Sequence, residues 1–234
     1  MEGMKILAVD TATTSCSVAV FDNETLLSES ILVRQQTHSK HLMEMIANVL
    51  GLAGITVTEL NGFAVTIGPG TFTGLRIGMS SIKGLAMASG KPVVGVSSLD
   101  ALAMQAAPTS HLICPMIDAR RGEVYFSRYR FKGECLNKEM DDVVLSPEEA
   151  VEYVDKPCVF VGNGALTYRK TIQQLIDGET YFIPFYQSII KASTVAHLSM
   201  SKFESGETDD IGMLVPHYIR KSDAELKQKN LINF

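Results

Sequence analysis

Short apolar runs separated by turn-forming residues open the chain. Lys5 to Asp10 is an apolar run that ends in a carboxylate, which is typical of a buried strand. Ser15 to Phe21 alternates between polar and apolar residues, and Asp22 to Glu24 form a turn that leads into a third extended run, Thr25 to Arg34. The spacing therefore predicts a meander of three β-strands.

The segments that follow alternate between helical and strand patterns. Ser39 to Ala53 and Leu75 to Ser89 read as helices, whereas Gly62 to Ile67 and Pro92 to Val96 read as strands. The order β-β-β-α-β-α-β predicts a mixed sheet that is first antiparallel and then parallel, with crossover helices.

The second half of the chain is less regular, and its element order partly repeats that of the first half. No sequence repetition supports this, so the inference depends on element order alone. We expect an α/β protein of two lobes, residues 1–98 and a smaller, reduced lobe 99–234, each with a mixed sheet flanked by helices. The second-half predictions are helices at Asp100 to Ala107, Pro147 to Val154 (N-cap Ser146), Leu166 to Ile176 and Ala192 to Ser205, and strands at His111 to Ile117, Glu123 to Phe131 and Val159 to Val161.

Four glycines, a proline and two threonines lie in the stretch from Gly68 to Gly78, between a predicted strand and a predicted helix. A sharp turn into a helix leaves backbone N–H groups free, and these can hold an anion or a partner backbone. The alternative is a tight turn in which glycines serve only positive φ angles and close packing. The stretch lacks the Lys-Ser/Thr pair of a P-loop and is not a G-x-G-x-x-G fingerprint.

Charge and composition restrict the functions that the chain could perform without a partner. The chain has 234 residues, 46% hydrophobic residues and a formal net charge of −5. A protein that binds nucleic acid unaided usually presents a basic face, because neutralising phosphates supplies most of the affinity. Lysines and arginines cluster only in the tail (Arg220, Lys221, Lys227, Lys229). We therefore expect any role in a nucleic-acid reaction to be exerted through a partner.

The four cysteines, Cys16, Cys114, Cys135 and Cys158, are scattered and include no C-x-x-C pair, so we expect reduced thiols. No apolar run approaches the roughly 18 residues that span a bilayer, and the first residues lack a signal-peptide layout. We expect a cytoplasmic protein without a membrane partner.

The first two predicted helices are more apolar than helices that cover one face of a sheet. Methionine, alanine and leucine extend the apolar surface of the first helix around nearly every side, and the second also carries Gly74, Gly78 and Gly84. Helices of this kind are either buried within the fold or docked on a partner. We favour a partner interface, for which methionine is well suited. Its members are Leu42, Met43, Met45, Ile46, Val49, Leu50, Gly74, Arg76, Gly78, Met79 and Ile82.

Four segments together resemble the TsaB (YeaZ) family of tRNA-modification proteins, related to TsaD and to the actin-like ATPase superfamily. They are Ile6 to Thr11 with Ser15, His38 to Leu42, Gly68 to Gly78, and Pro216 to Arg220. The resemblance implies an actin-like/RNase H-like ATPase fold. It also implies a non-catalytic subunit that activates a TsaD-like threonylcarbamoyl transferase and helps to recruit a TsaE-like ATPase. Paired helices of the first lobe would bind the transferase, or a second copy when the chain is alone, and tRNA would be reached only indirectly.

The resemblance also bears on catalysis. TsaD-like enzymes carry a metal-binding His-x-x-x-His motif where this chain has Ser98 and Leu102, and leucine cannot ligate a metal. His38 and His41 share a helix face but lack a third ligand, so we expect first-turn polar residues there. We predict no catalytic residue, metal or cofactor.

A nucleotide site remains an alternative. Asp10 ends the first strand where actin-like ATPases place a carboxylate, but no glycine or cation follows it. We interpret Asp10, Thr11, Gly68 and Gly70 as vestigial nucleotide-binding candidates. The competing hypothesis is an independent actin-like ATPase or small-molecule kinase that uses them.

Overall fold

The computed structural model describes residues 3–33 and 38–220. The predicted strand end at Arg34 and the tail 221–234, with Lys221, Lys227 and Lys229, lie outside the described residues.

The first half forms a five-stranded mixed sheet. The central strand is antiparallel to its neighbour in the meander and parallel to the strand on its other side. The predicted meander and parallel crossover are confirmed. The strands run in the order β3-β2-β1-β4-β5, with β1 (Lys5–Asp10), β2 (Ser15–Asp22), β3 (Thr25–Val33), β4 (Gly62–Gly68) and β5 (Val93–Ser97).

Two helices, α1 (Leu42–Ala53) and α2 (Phe72–Ser89), cover one face of this sheet and share a core cluster with its strands. A short 3₁₀ helix, His38–Lys40, replaces the predicted first turn of α1. The helix α2 begins at Phe72, before the predicted Leu75, so that Thr73 and Gly74 belong to its first turn and Thr71 is its N-cap.

The second half builds a sheet with the same strand order and the same strand directions. Its path is β10-β7-β6-β11-β12, and the hairpin β8–β9 extends from β6. The predicted partial repeat of the first half is confirmed. The strands are β6 (Leu112–Arg120), β7 (Glu123–Phe126), β8 (Tyr129–Lys132), β9 (Cys135–Lys138), β10 (Val143–Leu145), β11 (Cys158–Val161) and β12 (Thr180–Phe182).

The single strand predicted over Glu123 to Phe131 is wrong, because the chain leaves the β-ladder at Ser127 and Arg128. The Ser127 hydroxyl donates to the Met140 carbonyl at 2.5 Å, and the Arg128 guanidinium donates to the Tyr153 carbonyl at 2.6 Å. These side-chain bonds hold the break between β7 and β8.

The described residues contain five further α-helices. Where one helix is predicted over Leu166 to Ile176, the structure has two. The predicted N-cap at Ser146 is confirmed, because the Ser146 hydroxyl accepts a hydrogen bond from the Glu149 backbone N–H at 3.2 Å. The helices are α3 (Ser98–Gln105), α4 (Pro147–Val151), α5 (Asn163–Thr167), α6 (Arg169–Leu175) and α7 (Ala192–Ser205).

The second face of the first sheet is covered by α3 and α7, in a core cluster that also includes Ile113 and Val159 of the second sheet. The division at residues 98 and 99 stays a prediction. In space, α7 packs against the first sheet although it follows the whole of the second.

Candidate protein-interaction site

Asp10 at the end of β1 is fully buried. Its Oδ1 accepts hydrogen bonds from the Ala12 backbone N–H at 3.0 Å and from the Thr66 hydroxyl at 2.8 Å. Its Oδ2 has no hydrogen-bond partner among the described residues. Burial raises the pKa of this carboxyl from 3.8 to about 7, against the smaller lowering effect of the two hydrogen bonds. Asp10 therefore ties the β1–β2 turn to β4 from inside the fold.

The glycine stretch, Gly68 to Gly78, packs closely against the same β1–β2 turn. A Cβ on Gly70 would lie 2.4 Å from the Ala12 carbonyl oxygen, and one on Gly74 would lie 2.1 Å from that of Thr11. The Thr11 hydroxyl donates to the Gly74 carbonyl at 2.7 Å and would lie 2.3 Å from a Cβ on Gly78. Glycine is required because backbone meets backbone here.

The four nucleotide candidates, Asp10, Thr11, Gly68 and Gly70, thus lie near one another, and their described contacts are to other parts of this chain. Gly68 has a φ of 116°, and a Cβ there would lie 2.9 Å from the His217 carbonyl oxygen. Of the two interpretations of the glycine stretch, close packing accounts for these contacts. Nucleotide binding at these residues stays a prediction.

Burial corrects most of the predicted partner surface. Only Met43 and Arg76 among its members are exposed. The others lie on the inner sides of α1 and α2, where the apolar members pack on the sheet and the two glycines meet the β1–β2 turn. The apolar character of these helices therefore reflects core burial to a larger extent than expected. The buried members are Leu42, Met45, Ile46, Val49, Leu50, Gly74, Gly78, Met79 and Ile82.

Part of the surface that remains exposed on these two helices is apolar or formed by small residues, beside polar residues such as Glu44 and Asn48. Met43 is 51% exposed, Leu52 80% and Met87 72%, which are large values for such side chains. A Cβ added to Gly84 would meet nothing within 4 Å. We call this surface the outer face, and it consists of Met43, Ala47 and Leu52 of α1 and Arg76, Ser80, Gly84 and Met87 of α2.

Residues 209–220, which we call the strap, cross the first lobe beside α2. Asp209 pairs with Val93 at the free edge of β5, and its carboxylate accepts from the Gly95 N–H at 2.7 Å. The Lys83 ammonium of α2 donates to the Leu214 carbonyl at 3.0 Å. The strap therefore covers a sheet edge and bonds to the helix that carries half of the outer face.

Further along, the strap joins the two lobes. The His217 N–H donates to the Ile67 carbonyl at the end of β4, at 2.7 Å. Arg220 forms an ion pair of 2.7 Å with Glu123 at the β6–β7 hairpin. The family-like segments at Gly68 to Gly78 and Pro216 to Arg220 thus meet in space.

Three side chains of these segments form a stack. The Phe72 and Tyr218 rings stack with centroids 4.8 Å apart, and the Arg76 guanidinium carbon lies 3.7 Å from the Phe72 centroid. The Arg76 Nε donates to the Tyr218 hydroxyl at 3.0 Å. The rings and the hydrogen bond hold Arg76 at one end of the outer face.

Comparison with known proteins identifies the family. The protein-family model described as TsaD, tRNA N6-adenosine threonylcarbamoyltransferase, matches residues 25–228 of the sequence. The tRNA threonylcarbamoyladenosine biosynthesis protein TsaB of Bacillus subtilis (strain 168) is 31% identical over 227 residues, which cover 96% of this chain and 97% of that protein. This chain belongs to the TsaB family.

Solved structures confirm the predicted fold class. A Pseudomonas aeruginosa protein with similarity to peptidase YeaZ superposes with a TM-score of 0.80 at 28% identity, covering 93% of this chain and all of that one. The activator of the 2-hydroxyisocaproyl-CoA dehydratase of Clostridium difficile, with bound ADPNP, reaches 0.52 at 12% identity, covering 88% of this chain and 99% of its own. At that identity the likeness concerns the fold alone. The fold of this TsaB-family chain is the predicted actin-like/RNase H-like ATPase fold.

The histidine-equivalent positions lie in the core. Ser98 and Leu102 of α3 are buried, and Leu102 would contact a Cβ on Gly162 at 3.0 Å. His38 opens the 3₁₀ helix His38–Lys40, and His41 is the residue before α1. Over residues 3–33 and 38–220, no group of three or more His, Cys, Asp or Glu side chains could hold a metal ion.

In the second lobe, the turn Gly162 to Gly164 repeats the packing of the first. Gly162 has a φ of 104°, and a Cβ there would lie 2.3 Å from the Met116 carbonyl oxygen. The Asn163 side chain accepts from the Asp118 N–H at 3.2 Å. This turn serves close packing, as the glycine stretch does in the first lobe.

Sequence reasoning missed Phe72 and Tyr218 as partners of Arg76. Both lie within the segments that carry the family resemblance, and an aromatic residue in each was the available signal. Within the described residues, every helix is too short or too polar to cross a bilayer.

Proposed function

We propose that this chain is a non-catalytic subunit of the machinery that makes tRNA threonylcarbamoyladenosine. It binds a TsaD-like transferase through the outer face, activates it, and helps to recruit a TsaE-like ATPase. The names of its relatives support a role in this pathway. The proposal includes a cytoplasmic location for the protein. The observation that carries the proposal is the outer face itself.

The physical argument concerns the two helices as a pair. Both have already buried one side on the sheet, yet they still expose large apolar side chains at Met43, Leu52 and Met87. Exposed apolar side chains on neighbouring elements are typical of protein interfaces. At Ser80 and Gly84, small residues one helical turn apart allow another helix to approach closely. A pair of partner helices fits this surface, and a second copy of the chain would use it in the absence of the transferase.

Two further features support an accessory role. The net charge of −5 disfavours direct tRNA binding, so tRNA would be held by the partner. The Asp10 Oδ1 atom and the glycines that an ATPase or kinase would use are engaged in contacts within the chain, and Asp10 Oδ2 is fully buried. We therefore rank an independent ATPase or kinase second.

The test is a transfer assay with the TsaD-like and TsaE-like proteins of the same genome, tRNA, ATP and preformed threonylcarbamoyl-adenylate. We expect product to depend on this chain. The double variant Leu52→Glu, Met87→Glu should lose binding to the transferase by at least about tenfold, because two carboxylates would be desolvated in the interface. Leu175→Glu is the matched control, since Leu175 of α6 is 50% exposed in the second lobe.

Equal product with and without the chain would overturn the proposal. ATP turnover by the purified chain that is abolished by Asp10→Ala would favour the enzyme alternative instead. Circular dichroism of both variants must match the wild type for the binding result to count.

A further inference from the structure

Arg76 is a solvent-facing arginine whose side chain is already fixed. Its guanidinium lies 3.7 Å from the Phe72 centroid, and its Nε is bonded to the Tyr218 hydroxyl. An unrestrained arginine loses rotamer entropy when it is immobilised, which opposes binding. Phe72 and Tyr218 impose much of that cost during folding, so less remains to be lost on binding.

The bonding end of Arg76 is left available. Its two Nη atoms have no hydrogen bond or ion pair to any residue within 3–33 and 38–220. They form the planar fork that matches a carboxylate or phosphate with two parallel N–H···O bonds.

The position of this fork favours a protein partner. Arg76, Ser80 and Gly84 recur every four residues, so they follow one stripe along the outer face. The segment Phe72–Ser89 contains no acidic residue, and its other cation, Lys83, is bonded to the strap. A helix docked along this stripe would cover the guanidinium on a helix that offers it no counter-charge, and among the described residues Arg76 forms no ion pair with Glu44, the exposed carboxylate of α1. An arginine buried without a partner is costly, so the docking helix must supply an acceptor.

We propose that Arg76 binds a carboxylate of the docked transferase in a two-point contact, and that Phe72 and Tyr218 position it for that contact. The inference rests on the proposed function, because it names one bond within the proposed interface. It makes the strap part of the binding site: Tyr218, far away in sequence, sets the orientation of a residue on α2.

Calorimetric titration of this chain with the TsaD-like protein of the same genome, without nucleotide, tests the proposal. Arg76→Lys keeps the charge and loses the fork, and we expect binding to weaken by about tenfold; Arg76→Glu should weaken it by about a hundredfold or more. Tyr218→Phe removes the hydroxyl alone, and we expect a smaller loss of affinity of about three- to tenfold, because Arg76 is then less well positioned before binding. Arg120→Lys, on an exposed arginine of the second lobe, is the matched control and should bind like the wild type.

A charge reversal identifies the acceptor. Each acidic residue on the docking helices of the transferase is changed to lysine, and one such change should restore binding to Arg76→Glu while weakening binding to the wild type. This reciprocal rescue is a result that a purely structural role for Arg76 would not give.

The outcomes separate the two proposals. If the wild-type chain fails to bind the transferase, the proposed function fails. If it binds, but Arg76→Lys and Arg76→Glu bind equally well, only this inference is overturned. If the Arg76 effect appears only when ATP is added, a nucleotide phosphate is the acceptor and the assignment to a protein carboxylate is wrong.

Discussion

The close approach between α2 and the β1–β2 turn can be tested with a single methyl group. In Gly74→Ala the new Cβ would lie 2.1 Å from the Thr11 carbonyl oxygen and 2.5 Å from the Thr71 hydroxyl. Ordinary contact begins near 3.4 Å, so backbone must move by roughly 1.3 Å. The nearer neighbour is backbone, so it cannot yield simply by rotating a side chain.

The expected cost combines three terms. Overpacking costs about 1–3 kcal/mol, and displacing the Thr11 hydroxyl from the Gly74 carbonyl costs about 1 kcal/mol more. Alanine returns about 1 kcal/mol through its higher helix propensity. The net loss is therefore about 2 kcal/mol, which is a lowering of the melting temperature by about 4–8 °C in a chain of this size.

Gly84→Ala supplies the control in the same helix. A Cβ at that position meets nothing within 4 Å, so only the propensity gain remains. We expect it to raise the unfolding free energy by up to about 1 kcal/mol. Urea and thermal unfolding, followed by circular dichroism, measure both variants. A Gly74→Ala variant as stable as Gly84→Ala would refute the close-packing account of the glycine stretch.

Two further changes probe other contacts. Because the pKa of buried Asp10 is raised from 3.8 to about 7, the folded state keeps a proton that the unfolded chain releases, and the wild-type unfolding free energy should fall as pH rises from 4 to 7. Melting curves across that range should show the stability of Asp10→Asn increasing relative to that of the wild type up to pH 7 and changing no further above it. A stability difference that does not vary with pH would contradict the burial effect. Ser146→Ala removes the cap of α4 and should cost about 1 kcal/mol, measured by urea unfolding, whereas Ser146→Thr should retain most of the cap; equal loss in both would argue against the hydroxyl contact.

The order of the elements along the chain and the positions of the helices could be predicted from the sequence where one physical signal dominated. The run Lys5–Asp10 is apolar along its whole length, and the helix Ala192–Ser205 was predicted with its observed bounds. The break between β7 and β8 was not accessible, because the pattern continues through it. It is fixed by hydrogen bonds from Ser127 and Arg128 to carbonyls 13 and 25 residues away.

Most residues predicted for the partner interface are buried, and the sequence could not show this for a related reason. An apolar helical residue has the same sequence signature whether it faces the sheet or a partner, so Ile46 and Val49 could not be told from Met43 or Leu52. Only the position of the sheet beneath α1 separates them. The Arg76 stack was inaccessible because it joins residues separated by 142 positions, which no local pattern connects.

The late position of α7 has a consequence for the order of synthesis. The first sheet is complete in sequence at Ser97, but the helix that covers much of its second face ends only at Ser205, roughly 110 residues later. At a ribosomal speed of about 5–20 residues per second, apolar side chains of that face remain uncovered for about 5–20 s. The nascent chain must therefore pass through a stage that attracts chaperones, and any product that stops before Ala192 retains an open apolar face.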